Sequence, residues 1–275
     1  MKASSPFSAM HRQLPGLVRS HSGLLWSMIK REVVGRYKGS AMGLFWSFVN
    51  PILMLAVYTF VFSVVFQARW STGTGSKTEF ALVLFAGLIL FNLFSECVTR
   101  APLLIIGNVN YVKKVVFPVE ILPLIVLGNA LFHFAVSFGV WLLFYLMFFG
   151  LPPLTILLLP VLLVPFIVLV MGISWFLASL GVYVRDVAQV VGIGVMVLMY
   201  LSPIFYPISI LPEGFQTAMH FSPLSFVIEQ ARDVMMFNKG INWPAYGLYC
   251  LVSLLVCWLG YSWFSFTKKG FADVV

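Results

Sequence analysis

Arg31-Glu32-Val33-Val34-Gly35-Arg36-Tyr37-Lys38-Gly39-Ser40-Ala41-Met42-Gly43-Leu44-Phe45-Trp46-Ser47-Phe48-Val49-Asn50-Pro51 begins as a basic, half-apolar segment and continues into a charge-free one. Just upstream, Leu25, Ile29, Val33 and Tyr37 fall four apart and so share one helical face. Lys30, Arg31, Arg36 and Lys38 lie largely off that face. Such a helix rests along a membrane surface with its cations among lipid headgroups. From Ala41 to Ala68 no residue carries a charge, which is long enough to cross a bilayer. The stretch therefore reads as a flat helix, Arg31, Glu32, Arg36, Tyr37 and Lys38 included, hinged to a first span.

The remainder has the same character. Hydrophobic residues make up 61% of the 275 and charged ones 9%, against about 25% charged in a soluble domain. This is the composition of an all-α, multi-pass membrane protein. The net charge of +8 is spread between apolar spans rather than along a stripe, which argues against nucleic acid as a partner. Residues 1–23 hold no apolar run of signal-peptide length, so no cleaved leader is expected. Cys97, Cys250 and Cys257 fall in or near spans. The last two are about 10 Å apart along one helix, too far to bridge, and read as small buried hydrophobes.

Further spans are expected at about 80–106, in two helices between Ile121 and Val184 divided by Pro152-Pro153, at about 187–206, and at about 243–266. Pro160 and Pro165 should bend the fourth. The loop 69–79 contains Gly73-Thr74-Gly75-Ser76-Lys77-Thr78 but has Ser at both glycine positions that a phosphate loop needs. Six spans with both termini inside put thirteen of the 17 Lys and Arg residues on the cytoplasmic side. One domain over 1–275 follows: a cytoplasmic N-terminus and interfacial helix over 1–40, the membrane region over 41–267, and a tail over 268–275.

Polar residues within this frame are few. Glu96 and Arg100 stand at i, i+4 and suit an intrahelical pair, with an intramembrane ion site as the other reading. His133 suits a packed, neutral, hydrogen-bonded imidazole, with a proton relay as the other reading. Glu120 is taken with Pro118 as the first turn of the third span. Ser222 and Pro223 cap a helix whose apolar face is Leu224, Val227, Ile228, Ala231 and Met235, with Glu229, Arg232 and Asp233 off it. The third to sixth spans carry no midplane charge of the kind ion-coupled transporters use, and no phosphate loop is present. Active transport would thus draw its energy from a partner at the basic inner face. A membrane glycosyl- or acyltransferase, the enzyme class in view, would show a polar cluster where only isolated Glu96, Glu120 and His133 are seen. A passive channel or structural membrane partner is the remaining class.

The run Arg-Glu-x-x-x-Arg-Tyr-Lys-Gly-Ser-x-x-Gly-x-x-Trp followed by Asn-Pro resembles the start of the ABC-2 type permeases that export O-antigen, capsule or teichoic-acid polysaccharides. Asn108-Val109-Asn110-Tyr111-Val112-Lys113-Lys114-Val115-Val116-Phe117-Pro118 is similar to the family segment that includes the coupling helix. The resemblance implies contact with the ATPase through Asn108, Tyr111, Val112, Lys113, Lys114 and Phe117, where the residues alone show a basic turn. Ser202-Pro203-Ile204-Phe205-Tyr206-Pro207 matches the family's Ser-Pro-Ile-Phe-Tyr-Pro. It implies an outer gate with re-entrant helices, where an amphipathic helix on the outer leaflet is the plainer reading. The family also implies a homodimer in the bacterial inner membrane with two copies of a separate cytoplasmic ABC ATPase. ATP and Mg would sit on that ATPase, and no cofactor or metal is expected in this chain. The cargo implied is a lipid-linked polysaccharide, O-antigen before capsule or teichoic acid. Tyr58, Phe62 and Phe66, with Leu55 and Phe48, form a stripe on the first span, and Met196, Tyr200 and Pro203 one on the fifth. Helix packing explains both. The resemblance, which places these spans around the channel, makes Trp46, Tyr58, Phe62, Phe66, Met196 and Tyr200 candidate lining.

Overall fold

The computed structural model describes residue 16 and residues 19–61, 76–113, 117–220 and 222–274, without the side chains of Lys77, Ala218 and His220. The expectations placed on 1–15, on most of the loop 69–79, on Phe62, Phe66 and Lys114 lie outside the described residues. Within them the chain is all helix, with no strand. In order come α1 (Ser22–Arg36), α2 (Trp46–Tyr58), α3 (Lys77–Arg100), α4 (Val109–Lys113), α5 (Leu122–Phe149), α6 (Leu159–Tyr183), α7 (Val187–Leu201), α8 (Glu213–His220), α9 (Pro223–Met236), α10 (Trp243–Thr267) and α11 (Phe271–Val274).

Among the described residues, five helical stretches are long and apolar enough to cross a membrane: Gly43–Val61, Thr78–Leu103, Val119–Phe149, Leu154–Tyr183 and Trp243–Val274. The span expected at 187–206 is shorter than anticipated. α7 has 15 residues, about 22 Å, below the ~30 Å of a hydrocarbon core. It stops at Leu201 because Ser202 turns extended ahead of Pro203, and a residue before proline disfavours the α region.

Local chemistry sets the other ends. The Ser76 side chain accepts from Glu79 N, opening α3 three residues earlier than its apolar run suggests. Ser222 caps α9 ahead of Pro223, and Asn242 caps α10 ahead of Pro244. Pro102 tightens the end of the α3 span into a 3-10 turn, and Gly150 with Pro152-Pro153 separates α5 from α6.

α3 is the axle of the bundle. Every residue from Phe80 to Ala86 is buried, as is every one from Leu88 to Phe91, with α5 against it on one side and α9 on another. Trp141 of α5 donates its indole N–H to the Leu82 carbonyl at 3.0 Å. α6 and α10 form the closest helix pair, meeting where Gly172 faces Gly260 and Cys257; a Cβ on Gly172 would fall 2.5 Å from the Cys257 Cα. Since lipid is as apolar as leucine, such backbone proximity and its dispersion contacts hold helices together in a bilayer. The outward faces are apolar too: Leu248, Leu251, Leu254, Leu255 and Leu259 of α10 are all exposed.

Candidate functional site

α1 lies across the end of the bundle that carries Arg100, Lys113 and Lys268. Its inner face is as expected, with Met28 and Val33 buried and Leu25, Ile29 and Tyr37 half-buried. Several of its polar residues also find partners on other elements. Arg36 Nη1 donates to Glu96 Oε1 at 2.5 Å, and Glu32 accepts from Arg100. Tyr37, at the helix end, meets His133 Nε2 at 3.1 Å. Arg31 donates to the Tyr111 hydroxyl at 2.9 Å, and that ring stacks on Phe117 with centroids 4.6 Å apart. Lys38 is exposed.

Two residues that stand apart in the sequence, Glu96 and His133, meet here. Glu96 does lie 3.7 Å from Arg100, but its closer partners come from other helices. They are Arg36, the Asn129 amide at 2.7 Å, and His133 Nδ1 at 3.0 Å from Oε2. His133 is hydrogen-bonded as expected, and its partners make it a member of a cluster with Glu96 and Tyr37. His133 Nδ1 sits between the Glu96 carboxylate, which can only accept, and Arg36 Nη1, which can only donate and stands 3.0 Å away, while Nε2 meets the Tyr37 hydroxyl. Burial pushes the Tyr37 phenol above its ordinary range, which keeps its proton in place. The spacing within α3 showed only the i+4 partner; the rest depends on which helices pack beside it.

This cluster forms one end of a cavity of about 630 Å³ between α1, α2, α3 and α5. α2 presents Trp46, Asn50, Met54 and Tyr58 to it, four residues apart on one face, while Asn92 reaches it from α3 and Ser137 from α5. Of the expected lining, Trp46 and Tyr58 are thus placed on the cavity. Of the other described members of the stripe drawn with Tyr58, Phe48 is exposed and Leu55 is buried. Met196 and Tyr200 are exposed on α7, with the Tyr200 ring 6.0 Å from that of Phe205. Glu120 is buried, and its carboxylate holds Lys268.

At the opposite end, α9 is packed against α3 and α6 rather than lying on a surface. Arg232, expected on its polar side, is 2% exposed. Its guanidinium donates to the carbonyls of Val83 at 2.9 Å, Ile204 at 2.6 Å, and Pro203. Those of Pro203 and Ile204 belong to the broken turn after α7, where helix bonding has stopped, and Arg232 supplies the protein partner that buried irregular backbone requires. Gly87 makes room: a Cβ there would stand 2.7 Å from Arg232 Nη2. Ser202, Pro203 and Ile204 are buried in this knot, and the Tyr206 hydroxyl closes it onto the Tyr200 carbonyl at 3.0 Å. Phe205, Tyr206 and Pro207 are half-buried.

The family model for ABC-2 type transporters matches residues 23–236, which takes in α1 through α9. The chain belongs to the ABC-2 type transporter family. Individual relatives of this ABC-2 chain agree. It is 33% identical over 117 residues to the O-antigen export system permease protein RfbA of Myxococcus xanthus, 42% of each chain. It is 29% identical over 130 residues to a protein of the same name from Klebsiella pneumoniae, 47% of each chain. The chain spans under half the length of the relatives it matches. Membership makes it a transporter membrane component rather than an enzyme, and no group of three metal-ligating side chains occurs among the described residues.

Proposed function

We propose that the chain is the membrane subunit of an ATP-driven exporter of lipid-linked polysaccharide, with O-antigen as the cargo. It would act as a homodimer with two copies of a separate ABC ATPase, which would hold the ATP and Mg. The observation that carries the reading is the Arg31–Tyr111 bond. It ties the interfacial helix to the basic turn that resembles a coupling helix. Asn108 donates to the Leu104 carbonyl at 2.8 Å, and Val112 is half-buried, while Lys113 is exposed. The turn thus holds its shape through Asn108, Tyr111 and Phe117 and offers Lys113 to an acidic partner surface. Movement of the turn would pull on α1, and through Glu32 and Arg36 on the end of α3. That is a mechanical route from ATPase closure to the spans.

In this reading α7 and the Ser202–Pro207 turn complete a sixth crossing, α8 and α9 re-enter from the outer side, and both termini are cytoplasmic in the inner membrane. The relatives' names favour O-antigen over capsule or teichoic acid. Deleting the gene should abolish surface O-polysaccharide and leave lipid-linked glycan inside the cell; unchanged surface polysaccharide would refute the reading. For orientation, a cysteine at Gly240 should react with an impermeant maleimide in intact cells and one at Ala272 should not.

A further inference from the structure

α4 is a single helical turn of five residues, and a helix that short does not hold its shape without packing. Arg31 and Phe117 hold Tyr111 on one side of it. On another lies α11, the short helix after α10, which packs beside both α4 and α6. α11 is also one turn, and a single ring fixes it. Phe271 is 1% exposed, edge-on to Phe264 with centroids 5.4 Å apart, and 6.2 Å from the Tyr183 ring. Gly270 lets the chain enter this slot, since a Cβ there would stand 2.8 Å from the Tyr183 hydroxyl. That hydroxyl donates to the Thr267 carbonyl at 2.9 Å, and the Thr267 and Ser179 hydroxyls meet at 2.6 Å. Next in the chain, Lys268 pairs with Glu120, which lies in the turn Val119–Ile121 that leads from Phe117 back into the bundle. The Glu120 carbonyl accepts from the Trp175 indole of α6 at 3.1 Å. Lys268 to Val274 therefore touch the chain on both sides of Phe117, at α4 before it and at Glu120 after it.

We propose that Phe271 and Lys268 are positioning residues for the coupling step, bracing α4 against the α6 and α10 pair. The proposal rests on the reading of this turn as the contact with the ATPase, and it deepens that reading by naming what the turn is pushed against. A turn tied only to α1 through Arg31 would slide under load, because one exposed hydrogen bond yields easily. The α6 and α10 helices are the closest pair in the bundle, and a ring seated between close-packed groups passes a push on without slack. Ala272, Asp273 and Val274 are all exposed, so Phe271 is the side chain through which α11 is anchored. A buried carboxylate held by a lysine adds little net stability; it does give the turn after Phe117 a fixed place.

Amide hydrogen exchange of the full-length chain in lipid nanodiscs tests the brace, together with polysaccharide exported per ATP hydrolysed at equal membrane levels. Phe271→Ala should speed exchange in α4 about tenfold or more, the scale of losing a buried ring, while α3 and α5 exchange as in wild type. Phe271→Leu refills most of the slot and should recover most of the protection. Lys268→Gln should speed exchange in α4 and at Val119–Ile121 severalfold, and Lys268→Arg should restore it. Both damaging variants should export less polysaccharide per ATP, which a plain loss of stability would not produce in the protein that still folds. Unaltered exchange in α4, acceleration spread evenly over all helices, or faster exchange with unaltered export per ATP overturns the proposal. Should Phe271→Ala fail to accumulate, Lys268→Gln decides by the same three outcomes, since the Lys268 side chain is 43% exposed. Failure of the export reading looks different: the deletion strain keeps its surface polysaccharide while exchange in α4 still answers to Phe271.

Discussion

Two arginines, one at each end of the bundle, show opposite ways of using a guanidinium in a membrane protein. Arg36 has a side chain 51% exposed and meets a carboxylate. Arg232 is 2% exposed and meets three backbone carbonyls. The first interaction is between charges close to water, where screening keeps its worth to about 1 kcal/mol and makes it easy to break. The second supplies donors to the Pro203 and Ile204 carbonyls, where helix bonding has stopped, so its loss leaves those buried groups unsatisfied together with the guanidinium's own site. One end of the molecule is held by a charge pair open to water and the other by buried hydrogen bonds.

Replacing Arg232 should have the largest effect. Arg232→Met is expected to destabilise the protein by about 3 kcal/mol or more and to expose a cysteine at Ser202 to a maleimide that does not reach it otherwise. Arg232→Lys should recover little, because an ammonium cannot span three carbonyls on two segments. Thermal unfolding followed by tryptophan fluorescence reads the first effect, and neither should depend on salt. If Arg232→Met matches wild type, the contrast between the two ends collapses. Glu96→Gln comes next. It keeps the shape, removes the charge, and should loosen α1 by about 1 kcal/mol, seen as severalfold faster tryptic cleavage at Lys30 and Arg31. Raising salt should bring wild type toward the variant, which sharpens the contrast with Arg232. Tyr111→Phe removes only the bond from Arg31, with a stability cost of about 1 kcal/mol or less. Its larger consequence should be export falling below wild type at equal membrane levels while ATP hydrolysis continues. Lys38→Ala should change stability by no more than about 0.5 kcal/mol, since Lys38 is exposed.

Much of this was legible in the chain itself. The four-residue spacing of Leu25, Ile29, Val33 and Tyr37 correctly gave the buried face of α1, and the Ser222-Pro223 pair gave the start of α9. These signals are local: periodicity and caps act within one or two turns, so a reader needs no neighbours to see them. Charge was read less well. Arg232 counted as a solvent-facing cation because its own helix places it beside Glu229 and Asp233, and nothing nearby in sequence announces the carbonyls of Pro203 and Ile204. A signal did exist in Gly87, a small residue within an apolar span.

The sequence alone determined that this is a helical membrane protein whose first span is preceded by a helix with one apolar face, where most helices begin and end, and which family motifs it carries. Those follow from hydropathy, helical period and proline geometry, all properties of short stretches. Only the tertiary structure decided that Glu96 answers to Arg36, Asn129 and His133, that Arg232 is buried, and that Asn50 and Asn92 open onto one cavity. Each joins residues about 30 to 150 positions apart, and a hydrogen bond reaches about 3 Å. Whether two such groups come within that distance depends on which helices pack side by side, and in a bilayer that is settled by the fit of surfaces such as Gly172 against Gly260, which apolar composition does not encode.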